Sequence, residues 1–146
     1  MIYIIILIWN GKKYLAKLFE SLADLNFDQE KIKYIVIDSG SSDGSREFIG
    51  SLDWTNLEFI KLDKNLGFCA GNNLGMKKAL DDGADYVVLL NQDIEVEANF
   101  LQELVVTAER DEKVGVVQPL IAYYKNRDEI NTWGNELHYL GYGFSG

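Results

Sequence analysis

The sequence predicts an α/β fold on a doubly wound, mostly parallel sheet, and three observations carry that prediction. Short apolar runs rich in Ile, Val and Leu alternate with segments whose apolar residues recur at helical spacing. Two of the runs, Tyr34-Ile-Val-Ile-Asp38 and Tyr86-Val-Val-Leu-Leu-Asn-Gln-Asp93, end in polar residues and a carboxylate. A glycine-rich segment, residues 65–75, leads into a further helical pattern. In an open parallel sheet the carboxyl ends of the strands share one edge. An Asp delivered there points to the usual ligand crevice.

The elements follow in chain order. Ile2–Ile8 is β-branched and apolar and reads as a buried first strand. It lacks a basic flank and a cleavage site, which argues against a signal peptide, and it is far shorter than the ~20 residues of a membrane helix. Lys12–Leu25 reads as a helix, with Tyr14, Leu15, Leu18, Phe19, Leu22 and Leu25 on one face. Ile32–Ile37 is the second strand. A short helix is expected from Gly44 to Leu52, with Ser42 or Asp43 as its N-cap. Leu57–Lys61 is the third strand. The helix after the glycine-rich segment is expected to stop near Gly83. Asp85–Leu90 is the fourth strand, and Phe100, Leu101, Leu104, Val105 and Ala108 mark another helix. Val114–Gln118, closed by Pro119, reads as a fifth strand. From Ile121 to Gly146 the chain is rich in Tyr, Gly, Asn and Trp and shows no clean period.

The bulk properties narrow the function. At 146 residues, with 47% hydrophobic residues and one Pro, the chain fits one ordered domain. A formal net charge of -9 argues against non-specific nucleic-acid binding. An acidic protein that handles phosphates needs a metal to offset the like charge. The single cysteine, Cys69, excludes an internal disulfide and a Cys-rich zinc site and fits a reducing compartment.

The dinucleotide fingerprint and the Walker A pattern are both absent after the first strand, and no Gly-x-Ser-x-Gly elbow occurs. The candidate residues each have a plain reading beside a functional one. Asp38 either closes a turn or accepts an N–H from a nucleobase edge, since an ionised carboxylate only accepts. Asp93 either caps or offers a hard oxygen to Mg²⁺ or Mn²⁺. Asn91 could hydrogen-bond a ribose hydroxyl. The 67–75 segment has glycines four residues apart, which on a helix would mean close packing. Its Asn-Asn pair argues instead for a polar loop facing a ligand. Cys69 reads as a small buried filler. His138, Trp133 and the late tyrosines read as packing residues.

The ordered set Val-Ile-Asp-Ser-Gly-Ser-Ser-Asp-Gly-Ser (36–45), Asn-Leu-Gly-Phe-Cys-Ala-Gly-Asn-Asn-Leu-Gly (65–75) and Gly-Ala-Asp-Tyr-Val-Val-Leu-Leu-Asn-Gln-Asp (83–93) resembles family 2 of the inverting glycosyltransferases, closest to its bacterial rhamnosyltransferase-like branch. The resemblance covers residues 1–120. It implies a GT-A (nucleotide-diphospho-sugar transferase) fold and a UDP- or dTDP-linked sugar donor. It also implies a saccharide or lipid-linked acceptor, and a place in polysaccharide biosynthesis at the bacterial cell envelope. The location implied is cytoplasmic, with peripheral contact at the inner membrane face. Carried over by position, Asn10, Asp38, Gly67, Gly71, Asn72, Asn73 and Asn91 would line the donor nucleotide. Asp93 would hold Mg²⁺ or Mn²⁺. Asn91 stands where many members have the first Asp of the metal motif, and Asn72 where many have Arg.

The family's catalytic base lies well after the metal motif. Asp128, Glu129 and Glu136 do not match its context, so the base is expected beyond Gly146. Residues 1–120 then read as the nucleotide-sugar-binding half, and 121–146 as the incomplete start of the acceptor side. Two other classes stay open. A sugar nucleotidyltransferase of related fold would need a longer basic loop than Trp9-Asn-Gly-Lys-Lys13. A non-catalytic nucleotide-sugar-binding module would need no base.

Overall fold

The computed structural model describes residues 1–132 together with the strand backbone of 135–137 and 143–145. His138 and Trp133, and the side chain of Glu136, lie outside the described residues. The chain forms two compact units, Met1–Ala98 and Asn99–Gly146.

The first unit holds a four-stranded sheet of β1 (Ile2–Ile8), β2 (Ile32–Ser39), β3 (Leu57–Leu62) and β4 (Tyr86–Asn91), in the order β3-β2-β1-β4. Every pairing in it is parallel. Between the strands run α1 (Lys12–Ala23), α2 (Ser45–Gly50) and α3 (Phe68–Asp81). The central strand β1 has neighbours on both sides and helices over both faces. Its run of Ile4, Ile5, Ile6 and Ile8 is therefore fully buried, and an unbroken apolar strand is the stable solution.

The two faces alternate as a pleat requires. Tyr3 and Ile5 of β1, with Ile35 and Ile37 of β2, pack with Ala79 of α3. A Cβ on Gly75 would sit 2.6 Å from Ile5 Cγ2, and one on Gly71 would collide with the Leu7 side chain. These two glycines let α3 lie directly on the sheet. On the other face Tyr34 meets Trp54 edge-on, with centroids 4.8 Å apart, and Trp54 meets Phe19 of α1 at 5.3 Å. The buried stripe of α1 is Leu15, Leu18, Phe19 and Leu22. Helix α3 ends as expected at Gly83, whose φ is +81°. Ala84 N–H reaches Ala79 O at 2.9 Å and Gly83 N–H reaches Leu80 O at 3.0 Å, a double closure of the last turn.

The second unit contains α4 (Phe100–Ala108), the antiparallel pair β5 (Ile121–Tyr123) and β6 (Asn126–Thr132), and the antiparallel pair β7 (Asn135–Leu137) and β8 (Gly143–Ser145). No helix among the described residues is long and apolar enough to cross a membrane.

Several expectations are corrected. Val114–Gln118 is not a strand: it joins no ladder, and Val116 is 89% exposed. Composition cannot distinguish a buried strand from an extended stretch that buries neither face. The 67–75 segment is not a loop, because α3 already begins at Phe68. Cys69, on its first turn, is exposed and fills no core. Tyr123 and Tyr124, read as packing residues, are exposed. The N-cap of α2 is Gly44, at φ +90°, and not Ser42 or Asp43, although Asp43 Oδ1 still accepts Ser45 N–H at 3.0 Å at the helix start.

Candidate functional site

Register brings the strand ends to one edge. Ile8 lies opposite Asp38, Asp38 opposite Lys61, and Leu7 opposite Asn91. From β1 the chain winds outward through β2 and β3, then returns to place β4 on the other side of β1. The gap between the carboxyl ends of β1 and β4 is the reversal point at which open α/β sheets bind ligands.

Two loops at this edge are joined by hydrogen bonds between residues 31 to 34 positions apart. Asn10 N–H donates to Ser41 Oγ (2.9 Å), and Ser42 N–H donates to Asn10 Oδ1 (2.9 Å). Gly11 N–H donates to Ser45 Oγ (3.1 Å) and Lys12 N–H to Asp43 Oδ2 (2.9 Å). Asp43 thus serves the free amino end of α1 with Oδ2 and, through Ser45 N–H on Oδ1 (3.0 Å), the start of α2 that the sequence suggested it would cap. Asn10 holds a left-handed backbone at φ +49°, a conformation asparagine tolerates better than most residues. Desolvation opposes ionisation of Asp43. Hydrogen bonds from the Ser45 hydroxyl and from the Lys12 and Ser45 N–H groups outweigh it and hold the carboxyl below its usual range.

Gln92 closes the gap between β1 and β4. Its Oε1 accepts Trp9 N–H at 2.9 Å and its Nε2 donates to Trp9 O at 3.2 Å, so the amide acts as an extra rung of sheet. A Cβ on Gly11 would collide with it. Sequence reasoning passed over Gln92, which lies between two more conspicuous residues.

Asp38 is 0% exposed. Its Oδ1 accepts Ser41 N–H at 3.2 Å. Its Oδ2 accepts Arg46 Nε at 2.8 Å and forms an ion pair with Arg46 Nη2 at 2.6 Å. Arg46 Nη2 also donates to the Leu62 carbonyl at 2.7 Å, linking α2 to the end of β3. Arg46 is the second residue the sequence reading missed; its signal was a cation eight positions after a strand-end Asp. Next to Asp38, Ser39 Oγ donates to Asn65 Oδ1 at 3.2 Å and accepts Leu66 N–H at 3.2 Å. Asn65 Oδ1 in turn accepts Gly67 N–H at 2.7 Å, holding Gly67 at φ +80° where α3 begins.

The remaining candidates separate by exposure. Gly71 is turned onto Leu7. Asn72 is buried, and its Nδ2 donates back to Phe68 O at 2.9 Å. These two sit in helix packing, where an open ligand-facing loop was expected. Asn73, Asn91 and Asp93 are exposed. In the second unit Asp128 and Glu129 lie on β6 and are exposed.

The described residues also enclose a concavity of about 650 Å³ at the opposite edge of the sheet, lined by Tyr3, Lys33, Tyr34, Trp54 and Asn56 among others. It lies at the amino ends of β1 and β2, away from all the strand-end polar groups, so we place the site at the carboxyl edge.

The model of Glycosyl transferase family 2 matches residues 3–143. The chain belongs to this family. A low-salt glycan biosynthesis hexosyltransferase of Haloferax volcanii is 28% identical over 99 residues, covering 67% of this chain and 30% of that protein. A mannosyltransferase from Pyrobaculum calidifontis, solved with GDP-Man and Mn²⁺, superposes with a TM-score of 0.72 at 17% identity, over 87% of this chain and 37% of that one. Residues 1–349 of TarS from S. aureus, solved with UDP-GlcNAc, give 0.67 at 20% identity, over 83% of this chain and 40% of that one. The fold is that of the GT-A glycosyltransferases, and the chain spans less than half the length of these relatives.

Within this family 2 domain, the metal question turns on Asp93. Among the described residues no three His, Cys, Asp or Glu side chains gather into a metal-binding group. Asp93 is an exposed carboxylate two residues past the end of β4. That donor set does not fit a resident protein cage. It fits a hard cation bound by one carboxylate together with the oxygens of a diphosphate, the usual mode for Mg²⁺.

Proposed function

We propose that this chain is the donor-binding part of an inverting glycosyltransferase, related to the rhamnosyltransferase-like branch, that takes a sugar from a nucleoside diphosphate. The observation that carries this reading is the meeting of Asn10, Asp38, Asn91 and Asp93 at the carboxyl edge beside the β1–β4 reversal point, in a family 2 domain. Relatives of the same fold solved with UDP-GlcNAc and with GDP-Man support the class of donor. The donor's diphosphate would lie at the end of β4, with Asn91 near the ribose, and its base toward β2 and β3. Gly67 and Asn73 would border it from the start of α3. Gly71 and Asn72 would act through the seating of that helix.

Mg²⁺ or Mn²⁺ held by Asp93 and the diphosphate would neutralise the charge that builds on the leaving group. The acceptor, a saccharide or lipid-linked sugar, must lose a proton to a carboxylate base as its hydroxyl attacks the anomeric carbon. In this reading neither Asp38, which is ion-paired, nor Asp93, which binds the cation, is free to act as that base. We assign the base to the acceptor side of a full-length family 2 enzyme, outside the residues that bind the donor. We place the work at the cytoplasmic membrane face, in building envelope polysaccharide.

Calorimetric titration with UDP and dTDP, with Mg²⁺ or Mn²⁺ and again with EDTA, tests the reading. Binding should weaken about tenfold or more without the cation. Equal affinity in both conditions would remove Asp93 from the metal role, and no binding in either would remove the donor reading.

A further inference from the structure

The donor reading puts a nucleobase at the ends of β2 and β3, and Asp38 is the residue expected to meet it. The structure seals that carboxylate. Asp38 is 0% exposed, with one oxygen on Ser41 N–H and the other under the Arg46 guanidinium. The accessible member of the pair is Arg46, whose side chain is 32% exposed.

Arg46 is also fixed in orientation. Nε is held by Asp38 Oδ2 at 2.8 Å, and Nη2 by the Leu62 carbonyl at 2.7 Å. A guanidinium is planar, so two anchors on different elements set the direction of its third nitrogen. That nitrogen, Nη1, makes no hydrogen bond among the described residues. We infer that Arg46 is a specificity-determining residue of the donor site: Asp38 and the Leu62 carbonyl position it, and its Nη1 donates to a carbonyl oxygen of the nucleobase.

Distance favours a base over the diphosphate as its target. β2 lies two strands from β4 in the order β3-β2-β1-β4, and adjacent strands are about 4.8 Å apart. The end of β2, where Arg46 holds Asp38, therefore lies roughly 10 Å across the edge from the end of β4, and the bond to the Leu62 carbonyl takes the guanidinium toward β3, farther still from the diphosphate. A guanidinium only donates. It favours a base edge carrying a carbonyl oxygen, as uracil, thymine and guanine do, over adenine, whose acceptors are ring nitrogens flanking or opposite an amino donor.

The inference rests on the donor reading, and one experiment separates the two. The 146-residue chain is titrated with UDP, GDP and ADP at fixed Mn²⁺, as wild type, Arg46→Met and Arg46→Lys, with circular dichroism to follow folding. The wild type should prefer UDP or GDP to ADP. Arg46→Met should weaken the preferred nucleotide about tenfold and leave ADP nearly unchanged, because one charge-assisted hydrogen bond is lost. Arg46→Lys should not restore the preference, since it keeps the charge and lacks the fork. If the Met variant does not fold, the Lys variant carries the same comparison. A variant that binds UDP or GDP as well as wild type, or more tightly because Asp38 is uncovered, overturns the inference and leaves the donor reading standing. A wild type that binds no nucleoside diphosphate overturns both.

Discussion

The two ends of the carboxyl edge are built differently. Around β2 and β3, Asp38, Arg46, Ser41 and the Leu62 carbonyl share hydrogen bonds, and Asp43 and Ser45 extend the network to the start of α1. Little of that side remains for a ligand to organise. At the end of β4, Gln92 is bonded to the Trp9 backbone while Asn91 and Asp93 on either side of it are exposed. One side is stiffened by buried charge and the other is open. A buried carboxylate must be matched by the fold itself, whereas an exposed one can wait for a cation or ligand.

Four substitutions probe that contrast, in order of expected cost. Asp38→Ala removes one partner of an ion pair whose carboxylate is sealed, and should lower the unfolding free energy by about 3 kcal/mol in a denaturant titration. A loss below ~1 kcal/mol would show that Arg46 finds water readily and that this side is less closed than its geometry indicates. Gly71→Val should cost about 1–3 kcal/mol by driving α3 off Leu7. An unchanged melting temperature would mean the helix shifts freely.

Asp43→Ala removes the acceptor for Lys12 N–H and should cost about 1 kcal/mol at neutral pH. Its acid dependence has a definite sign. The folded carboxyl is held below its ordinary value of 3.8, so its contribution is present above that pH and is lost as pH falls through the lower folded value. The variant's stability should therefore converge on the wild type's in acid, and a gap that persists there would assign the loss to packing. Asp93→Asn should change stability by less than about 0.5 kcal/mol, as an exposed strand-end residue, while removing most of the cation dependence of nucleotide binding. A large stability loss with the cation dependence intact would reverse the contrast between the two ends.

Local pattern carried much of this molecule. The strands at 2–8, 32–39, 57–62 and 86–91, the buried stripe of α1 and the stop at Gly83 all follow from period, β-branching and a glycine that tolerates positive φ. With the alternation of strand and helix, these implied the parallel sheet and the shared edge of Asp38 and Asp93. The reading failed where the deciding partner is remote. Val114–Gln118 has the composition of a strand and no strand beside it. The glycines of 67–75 looked like a flexible loop because Leu7, Ile5 and Ile37, which make them necessary, lie 38 to 70 positions earlier in the chain. Asp43 caps a helix 31 residues earlier, and Gln92 bonds a backbone 83 residues away. Propensity and periodicity are properties of neighbours along the chain. The burial of Asp38, the fixing of Arg46 and the closing of β1 against β4 depend on which groups the folded chain brings within hydrogen-bonding distance, and tertiary structure alone decides that.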